Sequence, residues 1–166
     1  MARSRAAVAT LAVALLGSVG WGWWSGDRAA ATIDVTVVET IDGDTIDVRM
    51  PDGDVERVRI LGADTPETKD RRKPVQCFGP EASAHTHERL LGKRVTLELD
   101  AEPRDKYGRV LAYVYVDGQR YDDELLREGY ARLLVIPPNT EHARTLLRAE
   151  LSARAARRGL WAACGG

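Results

Sequence analysis

Residues 33–63 read IDVTVVETIDGDTIDVRMPDGDVERVRILGA. Apolar and polar residues alternate along this stretch, the period of two that places successive side chains on opposite faces of a strand. Asp42-Gly43 and Pro51-Asp52-Gly53-Asp54 interrupt the alternation with turn chemistry. The stretch therefore predicts three antiparallel strands in a meander.

Beyond it the period changes. Residues 65–78 are aperiodic and carry Pro, Lys and Arg, which predicts a loop. FGPEASAHTHERLLG, residues 78–92, has Pro80 at a first helical position, Glu81 in the first turn and Gly92 past the end, so a helix is expected. KRVTLELD (93–100) and RVLAYVYVDGQR (109–120) alternate again and predict two strands around AEPRDKYG. YDDELLREG (121–129) reads as a short helix. Residues 139–159 read as a longer one, capped by Thr140, with Ala143, Leu147, Leu151 and Ala155 as its apolar stripe. The fold class expected is α+β, mainly β. Its architecture is a five-stranded Greek-key barrel of OB type with about three helices packed on it.

The whole-chain numbers agree with one domain. The chain has 166 residues, 44% hydrophobic and 30% charged, the composition of a globular protein. Its 24 basic and 25 acidic residues leave a net charge of −1, so bulk charge points to no polyanion partner. The N-terminus differs from the rest. Arg3 and Arg5 precede an apolar run from Ala6 to Gly22, and Ala29 and Ala31 offer a small-x-small cleavage site. Residues 1–31 are thus expected to be a signal peptide or an N-terminal membrane anchor, with Trp21, Trp23 and Trp24 at the outer interface in the second case. The protein is expected to be exported, either secreted or held at the outer face of the membrane, and residues 32–166 form the folded domain. Without residues 1–31, which hold three arginines and one aspartate, 21 basic and 24 acidic residues remain, a net of −3. Cys77 and Cys164 are the two cysteines, and in an exported chain they are expected to pair.

Three segments carry the chemistry: DGDT at 42–45, RILGADTPE at 59–67 and DKYGR at 105–109. Each alone reads as turn punctuation. Together they supply hard oxygen ligands, Asp44, Asp64 and the Thr65 carbonyl, which suit Ca²⁺. Glu67 stands where it could take a proton from water. Arg59 and Arg109 come from different strands and can converge as forks on one phosphate. A cation, a base and two guanidiniums are the components of in-line attack at phosphorus.

At these residues the chain resembles the staphylococcal nuclease family, from about Val37 to Trp161. The motifs IDGDT, the Arg59 to DTPE run, FGPEAS, DKYGR followed by LAYVY, and GYA occur in that family's order. The resemblance implies Ca²⁺-dependent hydrolysis of DNA and RNA to 3′-phosphate ends. It implies Asp44, Asp64 and the Thr65 carbonyl as metal ligands, with Glu67 contacting the metal through water. Arg59, Glu67 and Arg109 would be catalytic, and Lys106 and Tyr107 would bind the substrate's terminal phosphate. A monomer is expected. Two departures stand out. The family type member has base-stacking tyrosines where this chain has Val135, Ile136 and Pro137, and the 68–77 loop carries Arg71, Arg72 and Lys73, read as solvated. His85, His87 and His142 fit no ligand spacing and are expected at the surface, whereas Trp161 is expected to plug the core. The competing reading is a non-catalytic nucleic-acid- or protein-binding module of the same fold, and the filled acid and arginine positions oppose it.

Overall fold

The computed structural model describes residues 31–69 and 74–165. The export segment read from residues 1–31, apart from Ala31, and the basic cluster at 71–73 lie outside the described residues. Among them no helix is long and apolar enough to cross a membrane.

The meander forms as expected. β1 (Thr32–Thr40), β2 (Thr45–Arg49) and β3 (Val55–Ile60) pair antiparallel in sequence order, with a register shift in β1 between Val37 and Glu39. β5 (Arg94–Arg104) pairs antiparallel with β1 and with β6 (Val110–Val116), and β6 closes the barrel by running parallel to β3. The result is a closed five-stranded mixed barrel, mainly β and of OB type. Its interior takes the alternate residues of every strand: Val37, Ile46, Val48, Val58, Ile60, Leu97 and Val114 are all buried. Nearly every residue of β6 is buried, because helices cover the face that the barrel interior does not.

Among the described residues the helices are four rather than about three: α1 (Gly79–Leu90), α2 (Tyr121–Arg127), α3 (Ala143–Ala155) and a four-residue α4 (Leu160–Ala163). Pro80 opens α1 as expected, and Gly92 follows it at φ +73°. Three further strands escape the alternation rule because they are too short to show a period. β4 (Gly62–Asp64) pairs with β8 (Arg132–Leu134), and β7 (Gln119–Arg120) folds back on β6 through an Asp117-Gly118 turn with both residues at positive φ.

α3 corrects two expectations. Its first residue is Ala143, and Thr140 caps nothing with its side chain; the Thr140 carbonyl merely accepts the Ala143 N–H at 3.1 Å. The cause is β5, whose carboxylates and backbone hold residues 139–142 in extended contact. Glu102 exchanges two hydrogen bonds with the Asn139 amide, Asp100 accepts the Glu141 N–H, and Glu98 meets His142 Nε2 at 3.1 Å. The helix can start only after that tether. Its buried face is Leu146, Ala149, Glu150 and Ala153, not the four-residue stripe; Leu147 and Leu151 are 44% and 53% exposed. A step of four drifts off a 3.6-residue period, and the face at steps of three and four is the one that packs.

The histidines are also corrected. Only His87 is a surface residue. His85 is half-buried, stacked on Tyr130 at 4.1 Å between ring centroids with Nε2 3.0 Å from Glu124, and His142 lies edge-on to Tyr113. Trp161 plugs a second small core with Ala153 and Leu160, as expected. Phe78 and Cys164 border it, and Cys164 is joined to Cys77 with Cα atoms 5.9 Å apart.

Candidate functional site

The DGDT turn and the DTPE loop meet because of two small residues and one buried carboxylate. A side chain at Gly43 would meet Thr65 at 2.7 Å, so the two loops can touch only with glycine there. Thr86 of α1 braces the turn from behind, donating to the Gly43 carbonyl at 2.7 Å. Asp44, 6% exposed, then reaches across: Oδ2 accepts the Thr65 N–H at 2.7 Å and the Thr65 hydroxyl at 2.9 Å, and Oδ1 accepts from Thr45. Asp44 thereby fixes the Asp64-Thr65 backbone before any ligand arrives.

Arg59, on β3 and 7% exposed, ties the same loop from the other side. Its Nη1 donates to the carbonyls of Ile60 and Ala63 at 2.9 and 2.6 Å and lies 3.3 Å from Asp44 Oδ1, while Nη2 meets Asp64 Oδ1 at 2.9 Å. The guanidinium stays buried because every carbonyl and carboxylate around it is an acceptor. Asp64 keeps half of its side chain in solvent. Burial raises the Asp64 pKa; Arg59 pulls it down, and the charges of Asp44 and Glu67 push it up again, for a net rise.

Asp42, treated at first as plain turn punctuation, belongs to the site as well. Its Oδ1 accepts the Asp44 N–H at 3.1 Å, and burial together with the Asp44 charge pushes its pKa up to about 6. The donors available to a cation here would all be oxygen, from Asp44, Asp64 and the Thr65 carbonyl, with Asp42 crowding them and the buried Arg59 guanidinium against them. Hard oxygen donors with surplus negative charge fit a hard divalent cation. Among the described residues no three acidic, His or Cys side chains converge on one ion, so such a cation would draw on the carbonyl and water as well.

Glu67 lies close enough to Asp64 to raise its pKa, and its loop is clamped from the far side. Gln76 exchanges two hydrogen bonds with the Glu67 backbone, at 2.9 and 3.0 Å, and Glu67 Oε1 accepts the Lys69 N–H. Gly79 packs against Thr68, Pro66 O and Glu67 O, with no room for a side chain, and the neighbouring Cys77 is anchored to Cys164. Gln76 gave no sequence signal, since its role depends on a turn that brings it back to Glu67.

Arg109 precedes β6, two positions from Leu111, the register partner of Arg59, so alternation places both arginines on one face of adjacent parallel strands. Asp105 aims it, accepting from Arg109 Nε at 2.7 Å and from the Tyr107 and Arg109 amides. Burial pushes the Asp105 carboxyl up, but these hydrogen bonds outweigh it and hold the pKa below the ordinary value. Gly108 takes φ +83° in this turn, a conformation that glycine adopts without a Cβ penalty. Tyr107, 72% exposed, stands between Lys106 and Arg109, 5.0 and 5.7 Å from its ring centroid. Tyr107, Arg109 and Arg57 line an open cleft of about 460 Å³. Where stacking tyrosines were expected to be missing, Leu134 and Val135 are exposed at 38% and 37%.

An OB-type barrel that gathers oxygen donors, two positioned guanidiniums and an exposed tyrosine has the chemistry to receive a phosphate beside a cation. Comparison with known proteins makes that class specific. Residues 57–163 match the family described as staphylococcal nuclease homologue. The chain is 43% identical over 125 residues to the thermonuclease of Staphylococcus intermedius, covering 75% of this chain and 74% of that protein. It is 38% identical to the thermonuclease of Staphylococcus hyicus over 75% of this chain and 73% of that one. It is also 43% identical to the SPbeta prophage-derived endonuclease YokF of Bacillus subtilis (strain 168), covering 78% of this chain but 44% of that protein. The chain belongs to the staphylococcal nuclease family.

Proposed function

We propose that this chain is an exported, Ca²⁺-dependent nuclease that hydrolyses DNA and RNA phosphodiesters and leaves 3′-phosphate ends. It is a phosphodiester hydrolase, as the thermonucleases and the endonuclease it is similar to are by name. The observation that carries the reading is the position of Arg59. It is locked between two carboxylates at the barrel's end, with Arg109 aimed from the next strand by Asp105.

Asp44, Asp64 and the Thr65 carbonyl would hold the cation, which when bound would offset the charge of the phosphate and of its own ligands. Arg59 and Arg109 bind the nonbridging phosphate oxygens as forks, and they gain strength as negative charge builds there in the transition state. Glu67 takes a proton from the attacking water. The water oxygen forms a bond to phosphorus as the bond to the 5′-oxygen breaks, the leaving 5′-oxygen takes a proton from solvent water, and Glu67 gives its proton back to solvent. Asp105 does no chemistry; it keeps the Arg109 fork directed at the site. Lys106 and Tyr107 hold the next phosphate at the open cleft.

Export rests on the N-terminal sequence, and the Cys77–Cys164 bridge suits an oxidising compartment. Calcium is favoured over magnesium because the donor set is irregular, whereas Mg²⁺ demands octahedral geometry and keeps its own waters. The test is cleavage of single-stranded DNA in EGTA, followed by restoration of Ca²⁺ or Mg²⁺. Activity is expected to vanish in the chelator and to return with millimolar or lower Ca²⁺ but poorly with Mg²⁺. Undiminished cleavage in EGTA, with no calcium binding by calorimetry, would end the metal reading.

A further inference from the structure

The site has a second opening. A cleft of about 190 Å³ is lined by Asp64, Thr65, Gln76, the Cys77–Cys164 bridge and Arg132. Arg132 comes from β8 and is the register partner of Asp64 in the β4–β8 ladder. Its guanidinium lies over the ring of the buried Trp161, with Cζ 4.5 Å from the centroid, which limits where the long side chain can point.

The other arginines described for the site and the Trp161 ring already have anionic partners. Arg59 holds Asp44 and Asp64, Arg109 holds Asp105, and Arg154, which also meets the Trp161 ring, holds Glu150. Arg132 is exposed, and its side chain has neither a hydrogen bond nor an ion pair among the described residues. Its charge is nevertheless felt at Asp64, whose pKa it lowers. A guanidinium braced on an indole, with its N–H groups unspent at the wall of an open cleft, is a fork presented to an anion.

A polynucleotide cut in its interior passes the reacting phosphate on both sides. The larger cleft, with Tyr107 and Arg109, accounts for one side. The smaller one is lined by the two residues that would hold the cation, and none of its lining residues lines the larger cleft. We infer that Arg132 binds a phosphate of the substrate on the side of the scissile bond away from Tyr107, an assignment that rests on the nuclease reading above. Asp64, which lines the same cleft, would repel a phosphodiester unless a cation offset its charge, so this subsite would fill together with the metal. The plainer role is that Arg132 only packs on Trp161.

Two synthetic diesters separate these roles. Both carry a thymidine 3′-phosphate on the Tyr107 side. Beyond the scissile phosphate one ends in a methyl ester, and the other continues for two nucleotides. In Ca²⁺, Arg132→Ala is expected to raise KM for the longer diester about tenfold, the effect of losing one charge-assisted contact, with kcat unchanged. The salt dependence of log KM for that diester should shrink by about one unit of slope. Arg132→Lys should fall between, and the methyl diester should be cleaved equally by all three proteins. An equal loss on both diesters, or no change on the longer one, makes Arg132 a packing residue and overturns the assignment. If the wild-type protein cleaves neither diester, the nuclease reading has failed. Anisotropy of a labelled tetranucleotide with Ca²⁺ then decides the subsite: weaker binding by Arg132→Ala upholds it, and equal binding overturns it.

Discussion

Arg59 serves structure and chemistry with one side chain. Two of its contacts are backbone carbonyls of the loop that carries Asp64, so a change there is not confined to the chemistry. Arg59→Lys is expected to cut turnover by at least about 10²-fold and to lower stability by about 1–3 kcal/mol, because lysine cannot reach the same acceptors. Arg109→Lys and Glu67→Gln should show the same kinetic loss with little change in melting temperature, since both sit on partly exposed turns. Turnover and thermal melts of the three variants check this, and near wild-type rates in all of them would undo the catalytic assignment. Outside that set of residues, Asp122 on α2 titrates unusually. It is fully buried against Arg120, and burial pushes its pKa up to about 7 from 3.8, more than the guanidinium pulls it down. The folded chain therefore keeps a proton that the unfolded chain releases, so this group's contribution to stability falls as pH rises from about 4 to about 7. Asp122→Asn should flatten the pH dependence of melting across that window. Parallel profiles for the two proteins would show that Asp122 is ionised throughout.

At the scale of elements, α3 shows which apolar residues matter. Leu146 is 1% exposed and fills the space above Gly62, whereas Leu151 on the same helix is half in water. Leu146→Ala is expected to cost about 2–5 kcal/mol, and Leu151→Ala no more than about 0.5 kcal/mol, both read by urea unfolding. Similar losses from the two would mean that the helix buries a different face. The 66–69 loop makes a second case, because its hold on Glu67 comes from Gln76 and from the bridge beside it. Replacing Cys77 and Cys164 by serine releases a closed loop of 87 residues in sequence separation. The expected loss is up to about 4 kcal/mol on the chain-entropy account. Turnover should fall as well, with Glu67 less firmly placed. Intact mass before and after reduction with alkylation tests the bridge itself: two alkylatable thiols in exported protein would remove it.

Across the whole molecule, the barrel is a frame that sets two strands side by side and lets loops from different parts of the chain meet at its end. β3 and β6 are distant in sequence yet adjacent and parallel in space, and that pairing alone puts Arg59 and Arg109 on one face. α1 stands behind the DGDT turn, and the C-terminal segment, through Cys164 and Trp161, stands beside the cleft that Arg132 enters. The helices therefore do more than cover apolar strands; they brace the loops that carry charge.

The strands of the meander, α1 and the DKYGR turn were legible in the amino-acid order, because local periodicity and turn chemistry dictate them. So were Asp44, Arg59, Asp64, Glu67 and Arg109 as a candidate set, since carboxylates and arginines at rigid spacing are costly to place without a use. The sequence could not show that Asp42 shares its burial with Asp44, that Gln76 returns to clamp Glu67, or that Asp105 aims Arg109, because each contact needs a turn's geometry. Nor could it choose the buried face of α3 or the burial of His85 and His142, which neighbouring elements impose. Short strands such as β4 and β8 have too few residues to carry a period, and only barrel closure brings them together. That closure placed Arg132 opposite Asp64, because side chains from distant segments become neighbours only when the backbone between them has folded.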